Sequence, residues 1–336
     1  MFRLMEKPYL LFLGDIRDDL SAKTARGIAD WRPGDCVGQY RMAGCGVSLG
    51  LADLDFAEAR ERGARTLVVG VANAGGRIPG HWEGDLVRAV EVGLDIASGL
   101  HERLNDLPGL ARAARASGRR LFDIRRPEGP LPVGTGEKRP GKRILTVGTD
   151  CSVGKKYTTL ALADEMRRRG IPADFRATGQ TGIFIAGEGI CVDAVPADFI
   201  SGVAERLSPA ADPDHWDVVE GQGSLFHPSF AGVTLGLVHG AQPDFLVLCH
   251  EPGRESLRGL PGRSLPGLAE CLDGHLAAAR LTNPDVRAAG FSFNTRNLDP
   301  AKAERLRRET EAFWGLPCID PVINGAGAIV DWLENQ

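Results

Sequence analysis

Residues 143–160, RILTVGTDCSVGKKYTTL, constrain the possible fold more than any other stretch of this sequence. A short run of mostly β-favouring residues leads into a turn that begins and ends with glycine, and the turn leads into a helix-forming run. Such a strand belongs to a parallel sheet when its neighbour is reached through a helical crossover. We therefore predict a strand at 143–147, a helix at 155–169 that ends at Gly170, and a parallel α/β sheet around them.

The same alternation of β-rich runs and helical patterns continues along the whole chain. It indicates the α/β class with a mainly parallel sheet. The further strands are predicted at 9–13, 66–71, 121–124, 173–177, 217–220, 244–249 and 287–293. The further helices are predicted at 56–62, 82–98, 107–117, 196–207, 266–280, 300–313 and 326–334.

The length of the chain predicts two domains. Its 336 residues exceed the size of about 250 residues at which a single core usually stops growing. Residues 126–141 are crowded with proline, glycine and charge, so they read as a linker. We predict a first domain at 1–125, the linker at 126–141 and a second domain at 142–336.

Charge and cysteine content exclude several classes of partner. The net charge of −4 argues against nucleic acid, whose binding needs clustered Lys and Arg in excess. The seven cysteines show no CxxC and no spacing that suits zinc, so we expect reduced thiols and no metal. No signal peptide or apolar window of about 18 residues is evident. We predict a cytoplasmic protein with small-molecule partners, no nucleic acid and no membrane; a homo-oligomer is compatible with this composition.

The turn after the strand at 143–147 is predicted to bind an anion. A glycine-rich turn and a helix N-terminus direct several backbone N–H groups at one point, and Lys155 adds a point charge. The spacing Gly148-x5-Gly154-Lys155 is one residue longer than the commonest Walker A sequence and occurs in dethiobiotin synthetase-like proteins. The predicted cofactor-binding residues are Gly148, Thr149, Asp150, Cys151, Ser152, Val153, Gly154, Lys155, Lys156 and Tyr157.

Lys156 stands where phosphoryl-transferring proteins carry the Ser or Thr that holds magnesium. A lysine cannot ligate Mg²⁺, and Thr158 and Thr159 lie further along the predicted helix. A second cation beside Lys155 suits a phosphate that is bound and not cleaved.

Residues 217–224, DVVEGQGS, are predicted to form the second half of this site. Glu220 comes at the C-terminal end of a strand, where ligands bind in open parallel sheets, and Gly221 and Gly223 permit close backbone approach. The segment resembles the VEGAGG segment of dethiobiotin synthetases. A strand that ends in a polar turn is the alternative reading.

Four segments together resemble a bacterial family classified as a domain of unknown function: 148–160, GTDCSVGKKYTTL; 176–189, RATGQTGIFIAGEG; 219–228, VEGQGSLFHP; and 237–244, LVHGAQPD. Members of that family are described as D-glutamate N-acetyltransferases that use acetyl-CoA. The resemblance implies a Rossmann-like N-terminal domain, a P-loop NTPase-like C-terminal domain, and acetyl transfer to the amine of an acidic amino acid, most simply D-glutamate. Coenzyme A keeps its phosphates during acyl transfer, so it fits a loop that binds phosphate without positioning magnesium.

Acyl transfer to an amino acid needs a base, because the amine is protonated at neutral pH. Glu220 and His239 are the predicted catalytic residues. Glu220 has the better position for this role, at a strand end that faces the loop. His239 lies in 234–241, TLGLVHGA, where a hydrogen-bonded structural histidine is the alternative.

The carboxylates of a glutamate substrate are predicted to be bound by Arg176, because a planar guanidinium matches a carboxylate. Arg176 precedes 178–182, TGQTG, which reads as the loop after the second strand of the second domain. Gln180 and Thr181 are predicted to add hydrogen bonds. A flexible turn is the alternative reading of this segment.

Other candidates for substrate binding are weaker. Arg254 follows the strand at 244–249, and Arg41 lies early in the chain. Asn73, with Gly75 and Gly76, follows a buried strand of the first domain and is predicted to line a pocket shared between the domains. A plain connecting loop is the alternative for 71–80.

Two other functions stay open on the sequence. An ATP-dependent ligase or kinase similar to dethiobiotin synthetase would use the loop with ATP and Mg²⁺, and a nucleotide-binding regulatory module would bind without turnover. A nicotinamide oxidoreductase is disfavoured because no complete G-x-G-x-x-G follows a strand. Cys151 is interpreted as filling a small-residue position in the loop, although a helix N-terminus can lower the pKa of a thiol.

Overall fold

The computed structural model describes residues 5–127 and 129–336, and the chain forms two α/β units. The first unit consists of Met1–Glu128 and Gln180–Ala194, and the second of Gly129–Gly179 and Val195–Gln336. The predicted first domain and linker extend over residues 1–4 and 128, which lie outside the described residues.

Strands and helices alternate throughout the described residues, as the sequence patterns predict. The elements up to residue 127 are Tyr9–Gly14 (β1), Lys23–Trp31 (α1), Cys36–Arg41 (β2), Phe56–Glu61 (α2), Thr66–Val69 (β3), Glu83–Glu91 (α3), Asp95–Ser98 (β4), Pro108–Ser117 (α4) and Leu121–Asp123 (β5). The elements from residue 129 onward are Lys142–Gly148 (β6), Lys155–Arg168 (α5), Ala173–Arg176 (β7), Gln180–Ala186 (α6), Ile200–Leu207 (α7), Trp216–Val219 (β8), Ala231–Ala241 (α8), Phe245–His250 (β9), Leu268–Arg280 (α9), Arg287–Phe293 (β10), Pro300–Trp314 (α10), Cys318–Ile319 (β11) and Gly327–Glu334 (α11).

The described residues of the first unit form a five-stranded parallel sheet in the order β2-β1-β3-β4-β5. Every residue of β1, β3 and β4 is buried, which requires covering elements on both faces of the sheet. The chain moves outward from β1 in both directions, which is the doubly wound arrangement.

The second unit is described throughout and contains a six-stranded parallel sheet in the order β11-β10-β9-β6-β8-β7. Its core is built around β6 and β9, whose buried apolar residues pack with those of α8, α9 and β10. The chain runs from β6 to β7 and β8 on one side and then crosses to β9 on the other. The C-terminal end of β6 is therefore the point where the strand order reverses, and open parallel sheets bind ligands at such points.

The segment Gln180–Ala194 differs from the sequence-based division, which assigned it to the second domain with the rest of 142–336. Its helix α6 buries Ile183, Phe184 and Ile185 and packs on α1 of the first unit. Within that unit Lys7 Nζ donates to Ile185 O at 3.1 Å. The stretch 178–182, predicted as a loop, thus ends in the first turn of a helix.

The predicted linker is anchored along its described residues 129–141, which contain no helix or strand. Thr135 N donates to the Glu205 carboxylate at 2.9 Å. Arg139 donates from Nη2 to Gly240 O at 2.8 Å and from Nη1 to Gln242 Oε1 at 3.0 Å. Residues 129–141 therefore belong to the second unit.

One predicted helix is wrong in its second half. Residues 82–98 were expected to form a single helix, but α3 ends at Glu91 and Asp95–Ser98 is the buried strand β4. Gly93 has a φ of +96°, a left-handed conformation that ends helices readily. The elements α1, β2, α6, α8 and β11 are absent from the sequence-based prediction.

Candidate functional site

The loop between β6 and α5 has the backbone of an anion-binding turn. Thr149 N donates to Cys249 O of β9 at 3.1 Å, which fixes the start of the loop beside the next strand. Ser152 has a φ of +56° and Gly154 a φ of +112°, and these left-handed residues turn the chain sharply into α5. Because the first N–H groups of a helix have no acceptor within that helix, this end of α5 carries a positive potential towards the loop.

Lys155 places a buried cation beneath the loop. Lys155 is only 6% exposed. Among the described residues its Nζ has a single hydrogen-bond acceptor, Asp150 O at 2.8 Å. Gly148 makes room for the amine, since a Cβ at that position would lie 3.2 Å from Nζ. Burial lowers the pKa of Lys155, against the opposing effect of nearby thiols and of Asp150. An anion bound in the loop would give this ammonium a negatively charged partner.

The hydroxyl groups that follow Lys155 are committed to internal hydrogen bonds. Thr159 Oγ1 donates to Lys155 O at 2.7 Å and lies 2.9 Å from Thr146 Oγ1. Thr158 Oγ1 lies 2.7 Å from Ser292 Oγ and 3.2 Å from Gly154 O. These contacts argue against either threonine replacing the missing magnesium ligand.

Glu220 lies at the carboxyl end of β8 and is 3% exposed. Its Oε2 accepts hydrogen bonds from the backbone N–H groups of Thr178 and Gly179, each at 3.0 Å. Burial raises the pKa of Glu220, while those two N–H groups and the charges of Lys156 and Lys155 act in the opposite direction. Glu220 is therefore electrostatically coupled to both lysines of the loop and holds a proton more readily than an exposed glutamate.

Two glycines after Glu220 allow the close approach that the sequence predicts. A Cβ at Gly221 would lie 1.7 Å from Thr146 O, and Gly221 N donates to Thr146 Oγ1 at 3.0 Å. Gly223 has a φ of +66°, and a Cβ there would lie 2.7 Å from Thr234 Oγ1.

Asp150 joins the loop to the segment 251–258 that follows β9. It is fully buried, and its Oδ1 accepts from Cys151 N at 2.7 Å. Its Oδ2 accepts from Arg254 Nη1 and from Arg258 N, both at 2.8 Å. Arg254 Nη1 also donates to Cys151 O at 2.7 Å. Arg254 is thus held against the loop itself, a position that the sequence does not predict.

His250 was missed by the sequence-based prediction. It is the last residue of β9, and its Nδ1 lies 3.0 Å from Thr149 Oγ1 of the loop. Phe293 packs edge-on against the ring at a centroid distance of 5.6 Å. Burial, with help from the charge of Arg254, lowers the pKa of His250 to about 4, so the imidazole is neutral at pH 7. A polar residue directly after the predicted apolar strand at 244–249 is the signal that could have identified it.

Cys151 is a thiol rather than a thiolate at neutral pH. Burial raises its pKa, and the charges of Lys155, Arg258 and Arg254 offset that rise only in part. This agrees with the interpretation of Cys151 as a loop residue without a nucleophilic role.

His239 lies away from the loop. The helix α8 begins near Gln222, whose carbonyl accepts from Thr234 Oγ1 at 2.7 Å, and it ends at Ala241. His239 comes eight residues after the helix start, or about 12 Å along the axis. The carbonyl of its neighbour Gly240 accepts from Arg139, which precedes the start of β6. The structure therefore brings Glu220 to the loop and places His239 towards the opposite, N-terminal end of β6.

Arg176 is held by carboxylates of its own sheet. Its Nε donates to Asp217 Oδ1 at 2.6 Å, and its Nη2 lies 3.0 Å from Asp174 Oδ2. Both partners precede the strand ends, so the guanidinium is directed back along the sheet and away from the loop. Binding a substrate carboxylate would require Arg176 to exchange these partners.

The remaining predicted substrate residues belong to the first unit. Asn73 Nδ2 donates to Arg77 O at 2.9 Å, while its Oδ1 is buried without a hydrogen-bond partner among the described residues. Gln180 and Thr181 open α6, and Gln180 Oε1 is likewise buried and unpaired within the described residues. Arg41 forms an ion pair with Asp53.

Within residues 5–127 and 129–336, two groups of side chains offer ligand atoms within 4.8 Å of one another: Asp150, Cys151 and His227, and Asp174, His215 and Asp217. In each group an arginine already pairs with a carboxylate, Arg254 with Asp150 and Arg176 with Asp217. These ion pairs offset part of the carboxylate charge in each group.

Fold and site together define a two-unit α/β protein whose second unit carries a P-loop with a buried lysine and no following hydroxyl. The chain belongs to the DUF1611 family. Residues 132–330 match its P-loop domain and residues 40–127 match its Rossmann-like domain, both described as domains of unknown function. The family resemblance and the α/β fold class predicted from the sequence are confirmed.

Relatives of known name are similar along nearly the full length. The chain is 54% identical over 330 residues to a D-glutamate N-acetyltransferase of Tritonibacter scottomollicae, covering 98% of this chain and 99% of that protein. It is 48% identical over 326 residues to a D-glutamate N-acetyltransferase of a Pseudoalteromonas species, covering 97% and 98%. A crystal structure of a DUF1611 family protein from Anabaena variabilis is similar with a TM-score of 0.86 and 30% identity, covering 98% of this chain and all of that one.

None of the helices in the described parts of the chain is long and apolar enough to cross a bilayer.

Proposed function

We propose that this protein is an N-acetyltransferase that moves the acetyl group of acetyl-CoA to the amine of D-glutamate, as a cytoplasmic enzyme of D-amino acid metabolism. The observation that carries the proposal is the loop 148–157, in which Lys155 is buried beneath an anion-binding turn and Lys156 replaces the magnesium ligand. Such a loop binds a diphosphate without the means to cleave it. The names of the two relatives support the choice of acyl acceptor.

In the proposed reaction the substrate ammonium first loses a proton to a base. The free amine then attacks the thioester carbon, and the C–S bond breaks as the tetrahedral oxyanion collapses. The nitrogen loses its second proton and the leaving coenzyme A thiolate takes one up, so the products are N-acetyl-D-glutamate and coenzyme A. Glu220 is the proposed base, because its raised pKa lies closer to the pKa of the substrate ammonium that it must deprotonate.

The position of Glu220 sets a condition on the bound cofactor. About 13 bonds separate the diphosphate of coenzyme A from its sulfur, so the pantetheine arm between them spans roughly 15 Å when extended. Glu220 directly precedes Gly221, where a Cβ would lie 3.1 Å from Lys155 Cδ, and it therefore lies near the phosphate end. It can reach the thioester only if the arm folds back over the loop. We expect Glu220→Gln to lower kcat far more than it raises KM for acetyl-CoA. If Glu220→Gln raises only KM, we would conclude that Glu220 binds the cofactor and is not the base.

Arg176, Gln180, Thr181 and Asn73 remain predictions for binding the amino acid. Alanine substitution of each should raise KM for D-glutamate while leaving KM for acetyl-CoA unchanged. Equal effects on both Michaelis constants would remove the residue from the substrate site.

The decisive experiment mixes the purified protein with acetyl-CoA and D-glutamate in the presence of a chelator and without ATP. Free thiol is followed continuously, and the acetylated amino acid is identified by mass spectrometry. The proposal predicts thiol release that depends on D-glutamate, with L-glutamate as the stereochemical control. Thiol release without acceptor, or product formation only when ATP and Mg²⁺ are added with release of ADP, would contradict it. The second outcome is the one expected of a ligase or kinase.

A further inference from the structure

Arg258 is held beside the loop by contacts of its backbone. Arg258 N donates to Asp150 Oδ2 at 2.8 Å, and His227 Nε2 lies 3.0 Å from Arg258 O. Asp150 is fully buried and His227 is 2% exposed, so both anchors are fixed parts of the fold. The Cα of Arg258 is therefore positioned beside Asp150 whatever its side chain does.

The two arginines of this segment differ in what their side chains do. Arg254 donates to the carbonyls of Cys151 and Ser152 and pairs with Asp150 and Glu251. Arg258 is exposed, and no described residue forms a hydrogen bond or ion pair with its guanidinium. Its charge still reaches the loop, because it is one of the cations that act on the Cys151 thiol. Arg254 fastens the segment to the loop, and Arg258 adds an uncommitted cation at the same place.

Coenzyme A carries a phosphate that the diphosphate loop does not account for. This third phosphate sits on the 3′ position of the ribose, across one sugar from the diphosphate, a separation of about 6–7 Å. An arginine side chain extends a similar distance from its Cα, and its planar fork matches two phosphate oxygens at once.

We propose that Arg258 binds the 3′-phosphate of coenzyme A and so makes the site prefer coenzyme A to its 3′-dephospho form. This inference rests on the proposed use of acetyl-CoA and adds a residue that reads one group of that cofactor. The buried Lys155 binds the diphosphate that both forms share, whereas Arg258 meets only the group in which they differ. Discrimination between the two forms therefore belongs to the segment after β9 and not to the loop.

The test measures KM and kcat for acetyl-CoA and for acetyl-3′-dephospho-CoA with the wild type, Arg258→Ala, Arg258→Lys and Arg305→Ala. The wild type should show a KM roughly tenfold lower for acetyl-CoA, the size of one charge-assisted contact at a solvent-exposed site. Arg258→Ala should raise KM for acetyl-CoA by about the same factor and leave KM for the dephospho form and both kcat values unchanged. Arg258→Lys should fall between them, because it keeps the charge and loses the fork.

Arg305→Ala is the matched control. It removes one exposed arginine from the outer surface of α10, where the side chain is 70% exposed, and should change neither Michaelis constant. Arg258→Ala keeps the backbone N–H that Asp150 accepts, so the segment stays anchored.

Titration calorimetry with coenzyme A and 3′-dephospho-CoA separates this inference from the proposed function. If no acetyl transfer is seen but Arg258→Ala selectively weakens coenzyme A, the binding inference stands and the reaction is wrong. If the wild type acetylates D-glutamate yet binds both forms equally, or if Arg258→Ala weakens both equally, the inference is overturned and the reaction stands. If neither form binds to the wild type, both fail.

Discussion

Lys155→Met should stabilise the unliganded protein and weaken its cofactor binding. The residue is 6% exposed, and its ammonium has one acceptor, a neutral carbonyl, among the described residues. Burying an ammonium costs several kcal/mol, whereas one hydrogen bond from a charged donor returns about 1.5–3 kcal/mol. Methionine keeps the length of the side chain and removes the charge. We expect the free energy of unfolding of the unliganded protein to rise by roughly 1–3 kcal/mol.

The bound state should respond in the opposite direction. A phosphate in the loop gives Lys155 a charged partner, and losing that contact costs about 1.5–3 kcal/mol, or about a 10- to 150-fold rise in Kd for coenzyme A. Opposite signs for stability and affinity are what separate a buried binding cation from a structural lysine.

The assay combines thermal unfolding with titration calorimetry. One kcal/mol shifts Tm by about 2–4 °C for a unit of 150–250 residues, so the unliganded variant should melt at least about 2 °C above the wild type. Lys302→Met, on the exposed face of α10, is the control and should alter neither Tm nor Kd. A lower Tm together with an unchanged Kd would refute the reasoning.

The same variant should lose a pH dependence of stability. Burial lowers the pKa of Lys155 in the folded state below the usual 10.5, so the unfolded chain binds more protons at alkaline pH. Wild-type stability should therefore rise through this contribution as pH increases towards 10.5, and Lys155→Met should remove that rise.

Three further changes test other parts of the site. Gly221→Ala should lower the free energy of unfolding by about 3 kcal/mol in urea titrations, because its Cβ would lie 1.7 Å from a backbone oxygen of β6; a wild-type midpoint would contradict the geometry. The half-buried His250 and the buried His275 each have a pKa lowered from 6.5 to about 4, so stability held above pH 6.5 should fall on acidification. The expected loss by pH 5 is roughly 2 kcal/mol for each histidine, and a flat profile in urea unfolding would disprove it. Lys156→Thr should weaken coenzyme A binding in a chelator and recover part of it on addition of Mg²⁺, whereas a metal-independent loss would show that the hydroxyl does not reach the ion.

The fold could be predicted from local sequence because its buried strands are short apolar runs between glycine turns. Leu145 and Val147 of β6 and Leu246 and Leu248 of β9 are all buried, and each lies within a run that was recognised. The position of Glu220 followed from the rule that ligands meet the carboxyl ends of parallel strands. The same rule applied to the next strand would have found His250.

Other parts of the site depend on contacts between residues distant in sequence. The apolar run of α8 has no clear helical spacing, so nothing local indicates that it is a helix that carries His239 away from the loop. Packing on α1, far earlier in the chain, determines that Gln180–Ala194 belongs to the first unit. Arg254 and Arg258 look alike in the sequence, and only their contacts with Asp150 separate a fastening side chain from an exposed one.

Under the proposed function, Lys156 takes the place of a metal ion at this loop. In nucleotide-cleaving P-loop proteins a divalent ion lies between the phosphates and an acidic residue at a strand end, held by the hydroxyl that follows the loop lysine. Here Glu220 is an acidic residue at a strand end, and Lys156 is one of the positive charges that act on it. The ammonium is covalently attached, so it needs no ligands and cannot be removed by a chelator. It donates hydrogen bonds to phosphate oxygens but does not coordinate them as the Lewis acid Mg²⁺ does, so it binds a diphosphate while drawing fewer electrons from a bond that is to be broken. Under the proposed function, binding without cleavage therefore follows from the lysine at position 156.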